Sequence, residues 1–175
     1  MVQDDQLRGY GQLLDWALER GVAPETQIDE LRAEGAADPD ARRRALGRAW
    51  GFRRALHDCL RAVVRREPAG EASVALLNVA IADLPPAFLL AQRADGIALA
   101  ISAGPSHDLL RPVLVSALRL LSSPELGRLR ECAAECCGRL YLDQTKNRSR
   151  RWCDMDTCGN RAKARRYQAR QRAGA

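Results

Sequence analysis

Four cysteines in two matched pairs, Cys132-x4-Cys137 and Cys153-x4-Cys158, set fifteen residues apart, constrain this chain more than any other feature. Two close pairs divided by a short insert suit tetrahedral Zn²⁺. Each pair makes a tight knuckle, and the insert folds back to bring the pairs together. Residues 130–172 offer few core side chains beyond Leu140, Tyr141, Leu142 and Trp152. A segment that small normally needs a metal or disulfides. In zinc-finger peptides the metal supplies about 10–16 kcal/mol. Cys136 offers a second register, C-x3-C, which spacing alone leaves open. Free thiols are the bland alternative, and an iron–sulfur cluster uses the same ligand type. No C-x-x-C pair is present, which argues against a redox dithiol. The short, basic, hydrophilic surroundings favour one structural Zn²⁺, with no open position for a substrate. The sixth cysteine, Cys59, falls among core positions of a long helix and reads as a small buried hydrophobe.

At 175 residues the chain has room for one ordinary domain plus such a finger. No apolar run approaches the ~18 residues of a membrane span. The first ten residues lack a basic segment followed by an apolar one, so no secretory signal is read. The expectation is a cytoplasmic, nucleoid-associated protein without membrane contact, whose cysteines are thiols or metal ligands rather than disulfides. Charge is unevenly spread. Residues 128–175 hold 13 Arg/Lys against 5 Asp/Glu, while residues 1–127 hold 15 against 17. A near-neutral body with a basic tail region points to a polyanionic partner for the tail.

The first two-thirds of the chain reads as helical with one hairpin. Leu7, Tyr10, Leu13, Leu14, Ala17 and Leu18 recur at helical spacing, with Gly21 as the stop. A second helix is predicted over 24–34, ended by the breaker cluster Gly35-Ala36-Ala37-Asp38. Asp38-Pro39 then caps a long helix that turns Leu46, Ala49, Trp50, Ala55, Leu56, Cys59, Leu60, Val63 and Val64 toward a core and ends near Glu67-Pro68. A weaker helix or extended segment covers 71–84, closed by Pro85-Pro86. Residues 87–93 and 96–102 flank Ala94-Asp95-Gly96, a hairpin signal. Ser106 caps a helix running to about Leu121. There Pro112 falls in the second turn and either kinks the helix or delays its start. Ser123-Pro124-Glu125 opens a further short helix with Ser as cap. The domain boundary is predicted near Glu131.

The segments Cys132-x4-Cys137-Gly-Arg-Leu-Tyr-Leu-Asp, Asn147-Arg148-Ser149-Arg150-Arg151-Trp152-Cys153-Asp154-Met155 and Cys158-Gly159-Asn160-Arg161-Ala162-Lys163-Ala164-Arg165-Arg166 together resemble the CGNR zinc finger. The resemblance covers nearly all of 130–172. It implies the ligand set Cys132, Cys137, Cys153 and Cys158, with Cys136 at a variable position. In bacteria that finger is the C-terminal module of a family of stress-induced transcriptional regulators with an N-terminal ABATE domain, which residues 10–129 resemble in pattern. Members open with a strand carrying a short Asp- and Asn-containing apolar motif. This chain starts directly at a helix and is expected to lack it. The expected fold is mainly α: an α-rich ABATE-like domain with a small β-hairpin over 1–130, a treble-clef-like finger (knuckle, hairpin, second knuckle at a helix start) over 131–172, and a disordered tail over 173–175.

After Cys158 the sequence runs from Arg161 to Arg172 without a helix breaker, and Asn160 is the predicted N-cap. Arg161, Arg165, Gln168 and Arg172 fall on one stripe, and Lys163, Arg166 and Arg170 on a roughly opposite one. Such a helix has too little apolar surface to be held by packing. Its width suits a DNA major groove, with Asn160, Arg161 and Lys163 nearest the base edges and Arg165 and Arg166 beside them. Lys146, Arg148, Arg150 and Arg151 add cations on the insert, suited to phosphate contacts that position without reading sequence. A plain solvated helix would show the same charges, and Arg161 would serve equally to tie knuckle carbonyls. Trp152 and Tyr141 are read as finger core. His57 and His107 form no motif with a nucleophile, and no phosphate-loop or hydrolase motif is present. The sequence therefore predicts a non-enzymatic, DNA-binding transcriptional regulator with one zinc ion. Its partners would be double-stranded DNA and either a small-molecule effector or a second copy of the chain. An RNA- or protein-binding adaptor is the alternative, and a treble-clef nuclease a more distant one.

Overall fold

The computed structural model describes residues 7–82, 88–93, 96–101, 108–135 and 137–173. The expectations for Pro85-Pro86, Asp95, Ser106, His107, Cys136, the opening strand and the end of the tail lie outside those residues. Six α-helices and four strands are described: α1 Tyr10–Glu19, α2 Glu25–Ala37, α3 Pro39–Arg65, α4 Glu71–Ala82, β1 Phe88–Arg93, β2 Gly96–Ile101, α5 Leu110–Leu121, β3 Leu129–Glu131, β4 Leu140–Leu142 and α6 Asn160–Ala173. The chain is mainly α, with a small antiparallel hairpin and a four-cysteine finger, as its pattern predicts. It divides into two compact units. One comprises Gln6–Cys59 and Ala69–Ser122; the other takes Leu60–Pro68 together with Ser123–Ala175.

In the first unit α1 buries Leu13, Leu14 and Ala17, and α2 buries Ile28 and Leu31 against them. The predicted end of α2 needs correction. The helix runs through Gly35-Ala36-Ala37 and stops only at Asp38, whose backbone is extended. Gly35 is not a breaker but a contact. A Cβ there would lie 2.7 Å from Tyr10 Cε1, and the same Tyr10 donates its hydroxyl to the Leu31 carbonyl at 3.2 Å. Gly35→Ala is therefore expected to destabilise. The better helix propensity of alanine is worth about 1 kcal/mol, but displacing a packed ring costs about 1–3 kcal/mol. A lowered melting temperature checks it, and a raised one would show the Tyr10 ring yielding freely.

Asp38 caps α3 as expected, its Oδ1 accepting from the Asp40 and Ala41 amides at 2.9 Å each. These bonds hold its carboxyl below the usual range. Much of the predicted α3 stripe packs as expected, with Leu46, Leu56 and Cys59 partly buried against the two cores, but two of its positions face solvent. Ala49, Phe52, Ala55 and Ala62 are buried, whereas Trp50 and Val63 are exposed. Trp50 instead lays its indole N–H on the Leu7 carbonyl at 2.9 Å. Phe52 and Ala55 join Leu77 of α4 and Leu114 of α5 in a second core, flanked by the half-buried Cys59. Burial pushes the Cys59 thiol up, in keeping with a packing role. α3 ends at Arg66 (φ 57°). The Arg66 amide bonds Val63 O and the Glu67 amide bonds Ala62 O, a left-handed cap of the Schellman type.

Residues 71–82 are helical, which settles the open choice there. β1 and β2 pair from Phe88↔Ile101 to Arg93↔Gly96. α5 starts at Leu110, its first amide bonded to Asp108 Oδ1 at 3.0 Å. Pro112 therefore sits in the first turn, where its missing N–H removes no helical bond. Residues 124–128 form a 3-10 turn, and Ser123 makes no side-chain cap bond to it.

Candidate metal centre

The second unit is built around the cysteines. β3 and β4 pair from Leu129↔Leu142 to Glu131↔Leu140. They flank the first knuckle, β3 before Cys132 and β4 after Cys137, so only the second arm lies between the two cysteine pairs. The knuckle closes through Cys132 N–H to Arg139 O at 2.9 Å and Cys137 N–H to Ala134 O at 3.2 Å. Gly138 (φ 64°) turns the chain out of it in a conformation that disfavours a side chain.

After β4 the chain enters a loop organised by one carboxylate. Asp143 is fully buried. Its Oδ1 accepts from the Thr145 hydroxyl at 2.6 Å and the Thr145 amide at 2.9 Å, and its Oδ2 from the Arg150 amide at 3.0 Å. The Thr145 hydroxyl is the main cause holding this carboxyl below its ordinary range. Asp143 N–H in turn bonds Arg128 O, and Arg128 Nη1 reaches Asp143 O at 3.2 Å. These side-chain bonds take up amides that a strand partner would otherwise satisfy. Ala133 N–H then bonds Arg151 O at 2.9 Å, which brings the second cysteine pair back to the first.

The second pair spans the start of the last helix. Asp154, not Asn160, is its N-cap: the Asp154 carboxylate accepts from the Thr157 amide at 2.8 Å and the Thr157 hydroxyl at 2.7 Å. Met155–Gly159 form one wide turn that leads into α6. Cys158 thus lies within the first helical turn. Asn160 is already helical (φ −67°, ψ −40°), and its Nδ2 donates to Asp156 O at 3.1 Å. An Asp six residues upstream competes for the cap role, and the wide turn gives it the position.

The four sulfurs of Cys132, Cys137, Cys153 and Cys158 lie within 4.8 Å of one another. Three of the separations are 3.7 Å (Cys137–Cys153), 3.8 Å (Cys153–Cys158) and 3.6 Å (Cys158–Cys137). A tetrahedron of Zn–S bonds near 2.3 Å requires edges of about 3.8 Å. Without a cation, four thiols this close oppose one another's ionisation. Burial and the neighbouring sulfurs push Cys153 far up, and burial pushes Cys137 up. Burial opposes ionisation of Cys132 too, but the Cys153 and Ala134 amides outweigh it and bring that thiol down. A divalent ion removes the conflict, so the donor set fits one structural zinc held by thiolates.

The model of the CGNR zinc finger matches residues 128–171. That of the ABATE family, described as "Putative stress-induced transcription regulator", matches residues 2–124, more than two-thirds of the chain. The chain belongs to the ABATE family. No curated protein matches it. Both descriptions are of a regulator and a finger, and neither names a reaction. Among the described residues no helix of this ABATE chain is long and apolar enough to cross a membrane.

The sequence-predicted cations of the CGNR finger take several kinds of place. Lys146 and Arg148 are exposed on the Asp143 loop, with Arg148 at φ 50°. Arg150 is exposed but folds back on the second knuckle: its Nε donates to Trp152 O at 2.9 Å and its Nη2 to Cys153 O, while its guanidinium lies 4.9 Å from the Tyr141 ring centroid. Arg151 and Arg166 lie 5.6 and 5.9 Å from the Trp152 centroid, and Arg165 pairs with Glu135 at 3.0 Å. Arg161 and Lys163 are exposed. Sequence reasoning missed Asp143 as an organiser. It also missed Glu131, which binds Arg61 at 3.1 Å and Arg65 at 2.8 Å from the last turns of α3. The Arg65 bond chiefly holds the Glu131 carboxyl low. Thr145 two residues after Asp143 was the available signal for the first; nothing local signals the second.

Proposed function

We propose that this regulatory zinc-finger protein binds double-stranded DNA through α6 and acts as a transcriptional regulator. The observation that carries this is α6 itself. Every side chain from Lys163 to Arg172 is exposed, and Lys163, Arg165, Arg166, Arg170 and Arg172 lie on that length. A helix so polar gains little from packing. Its rigidity comes from the Asp154 cap and the metal-bearing first turn, and a polyanion is the partner that gains from it. Arg161 and Lys163 are assigned to base edges, with Asn160 beside them. Arg165, Arg166, Arg151, Lys146 and Arg148 are assigned to phosphates. Arg150 serves the knuckle carbonyls.

Selection of bound sequences from a random duplex pool at moderate salt tests the reading, and a recurrent motif is expected. Lys146→Ala, which removes one of the assigned phosphate contacts, should weaken binding to all sequences alike and lower the slope of log affinity against log salt by about one. Enrichment of no sequence, or equal affinity for single-stranded RNA, would favour an adaptor role instead.

For the N-terminal domain, ligand sensing and self-association are both compatible with the family. Among the described residues, a cavity lined by Tyr10, Glu34, Arg42 and Arg48 holds about 170 Å³, less than the roughly 300 Å³ at the low end of ligand pockets. Val74, Leu76, Val79 and Ile81 of α4 are exposed. That combination favours association with a second copy. Light scattering at micromolar concentration should return the mass of a dimer, and a monomer mass would favour sensing instead.

A further inference from the structure

Beside the metal centre lies a groove of about 430 Å³, within the size range of small-ligand sites. Five arginines line it: Arg139, Arg151, Arg161, Arg165 and Arg166. Glu135 is the one acid in the lining and pairs with Arg165. Cys137 and Cys158 form part of the floor. A zinc tetrathiolate is a dianion, so the arginines also offset its charge. Even with that dianion and Glu135 counted, the lining keeps a positive charge of about two. A concavity lined by this excess of cationic residues favours an anion.

The groove is more than an anion hole. Trp152 lines it, and the guanidiniums of Arg151 and Arg166 flank the indole at 5.6 and 5.9 Å from its centroid. Indole and guanidinium planes both accept the face of a nucleobase. Phosphate oxygens match the guanidinium fork, which binds them through two parallel N–H bonds.

We infer that this groove binds a nucleotide unit, its phosphate held by Arg161 and its neighbours and its base stacked against the Trp152 row. The groove shares Arg151, Arg161, Arg165 and Arg166 with the proposed duplex contacts, but it stands on its own geometry and its test does not depend on duplex affinity. A free nucleotide and an unpaired nucleotide of a DNA strand present the same chemistry. In the duplex the base face is covered by its neighbours.

The zinc-loaded full chain, ¹⁵N-labelled at tryptophan, supplies the test. The Trp152 indole N–H signal, assigned by its loss in Trp152→Phe, is followed during titration with inorganic phosphate, adenosine monophosphate and a short single-stranded oligodeoxyadenylate. The nucleotide should shift Trp152 saturably and leave Trp16 and Trp50 in place, with phosphate at least tenfold weaker. Arg161→Ala, with zinc content unchanged, should weaken nucleotide binding at least fivefold. Saturation by the monophosphate identifies a free nucleotide as a competent source, and saturation by the oligonucleotide alone identifies a strand. An immobile Trp152, an equal response to phosphate, or an unaltered affinity in Arg161→Ala overturns the inference. Duplex binding with no nucleotide response leaves the α6 reading standing and removes the groove; nucleotide binding without duplex affinity does the reverse.

Discussion

Cys158→Ser is expected to empty the metal centre and unfold the finger. Cys158 is buried, and its sulfur lies 3.6 and 3.8 Å from those of Cys137 and Cys153. A serine hydroxyl does not ionise at neutral pH and cannot replace a thiolate on zinc. The metal's contribution of about 10–16 kcal/mol is as large as the whole stability of an ordinary domain, about 5–15 kcal/mol. The finger has no reserve to absorb that loss. Of its residues after 128, only Leu129, Cys132, Asp143, Cys158 and Gly159 are buried among those described. Zinc per chain should fall from one to near zero, and the amide signals of residues 129–160 should collapse to unfolded positions. A chelator should do the same to the unaltered chain. A variant that keeps dispersed finger signals without metal would show that packing, not coordination, holds the fold.

Phe52→Ala should strike the other unit. Phe52 is 4% exposed in the core it forms with Ala55, Leu77 and Leu114. Its neighbours are small or already engaged, so the void cannot close fully. Such truncations cost about 3–5 kcal/mol. For a unit of this size the melting temperature should drop by on the order of 10 °C or more. Zinc content at room temperature should not change, because the cysteines, the Asp143 loop and the Glu131 pairs all lie in the other unit. Zinc loss in parallel with the melting shift would show that the two units fold as one.

The particular residues show where sequence reading succeeds. The caps at Asp38-Pro39 and the delayed start at Pro112 are local chemistry, and the structure has both. The cysteine pairs are local too, since each pair spans only six residues. Readings failed where two local signals competed or a distant partner decided. Gly35 looks like a breaker until the Tyr10 ring is laid against it. Asn160 and Asp154 are both good caps, and the wide turn that carries Cys158 chose Asp154. The run Arg148-Ser149-Arg150-Arg151 reads as uniform charge. Only the fold of the Asp143 loop brings Arg150 onto the Trp152 and Cys153 carbonyls, a use its neighbours in the run do not signal.

By itself the sequence determined the helical content, the presence of two close cysteine pairs and the cationic last helix. Each depends on spacing along a few turns of chain, where geometry comes directly from residue order. The tertiary structure decided that Trp50 and Val63 leave the buried face of α3, which carboxylates order the finger, and which arginines line the groove beside Trp152. Those outcomes rest on contacts between residues as far apart as Arg61 and Glu131. Such contacts are selected by the packing and charge balance of the folded chain, which no local pattern encodes.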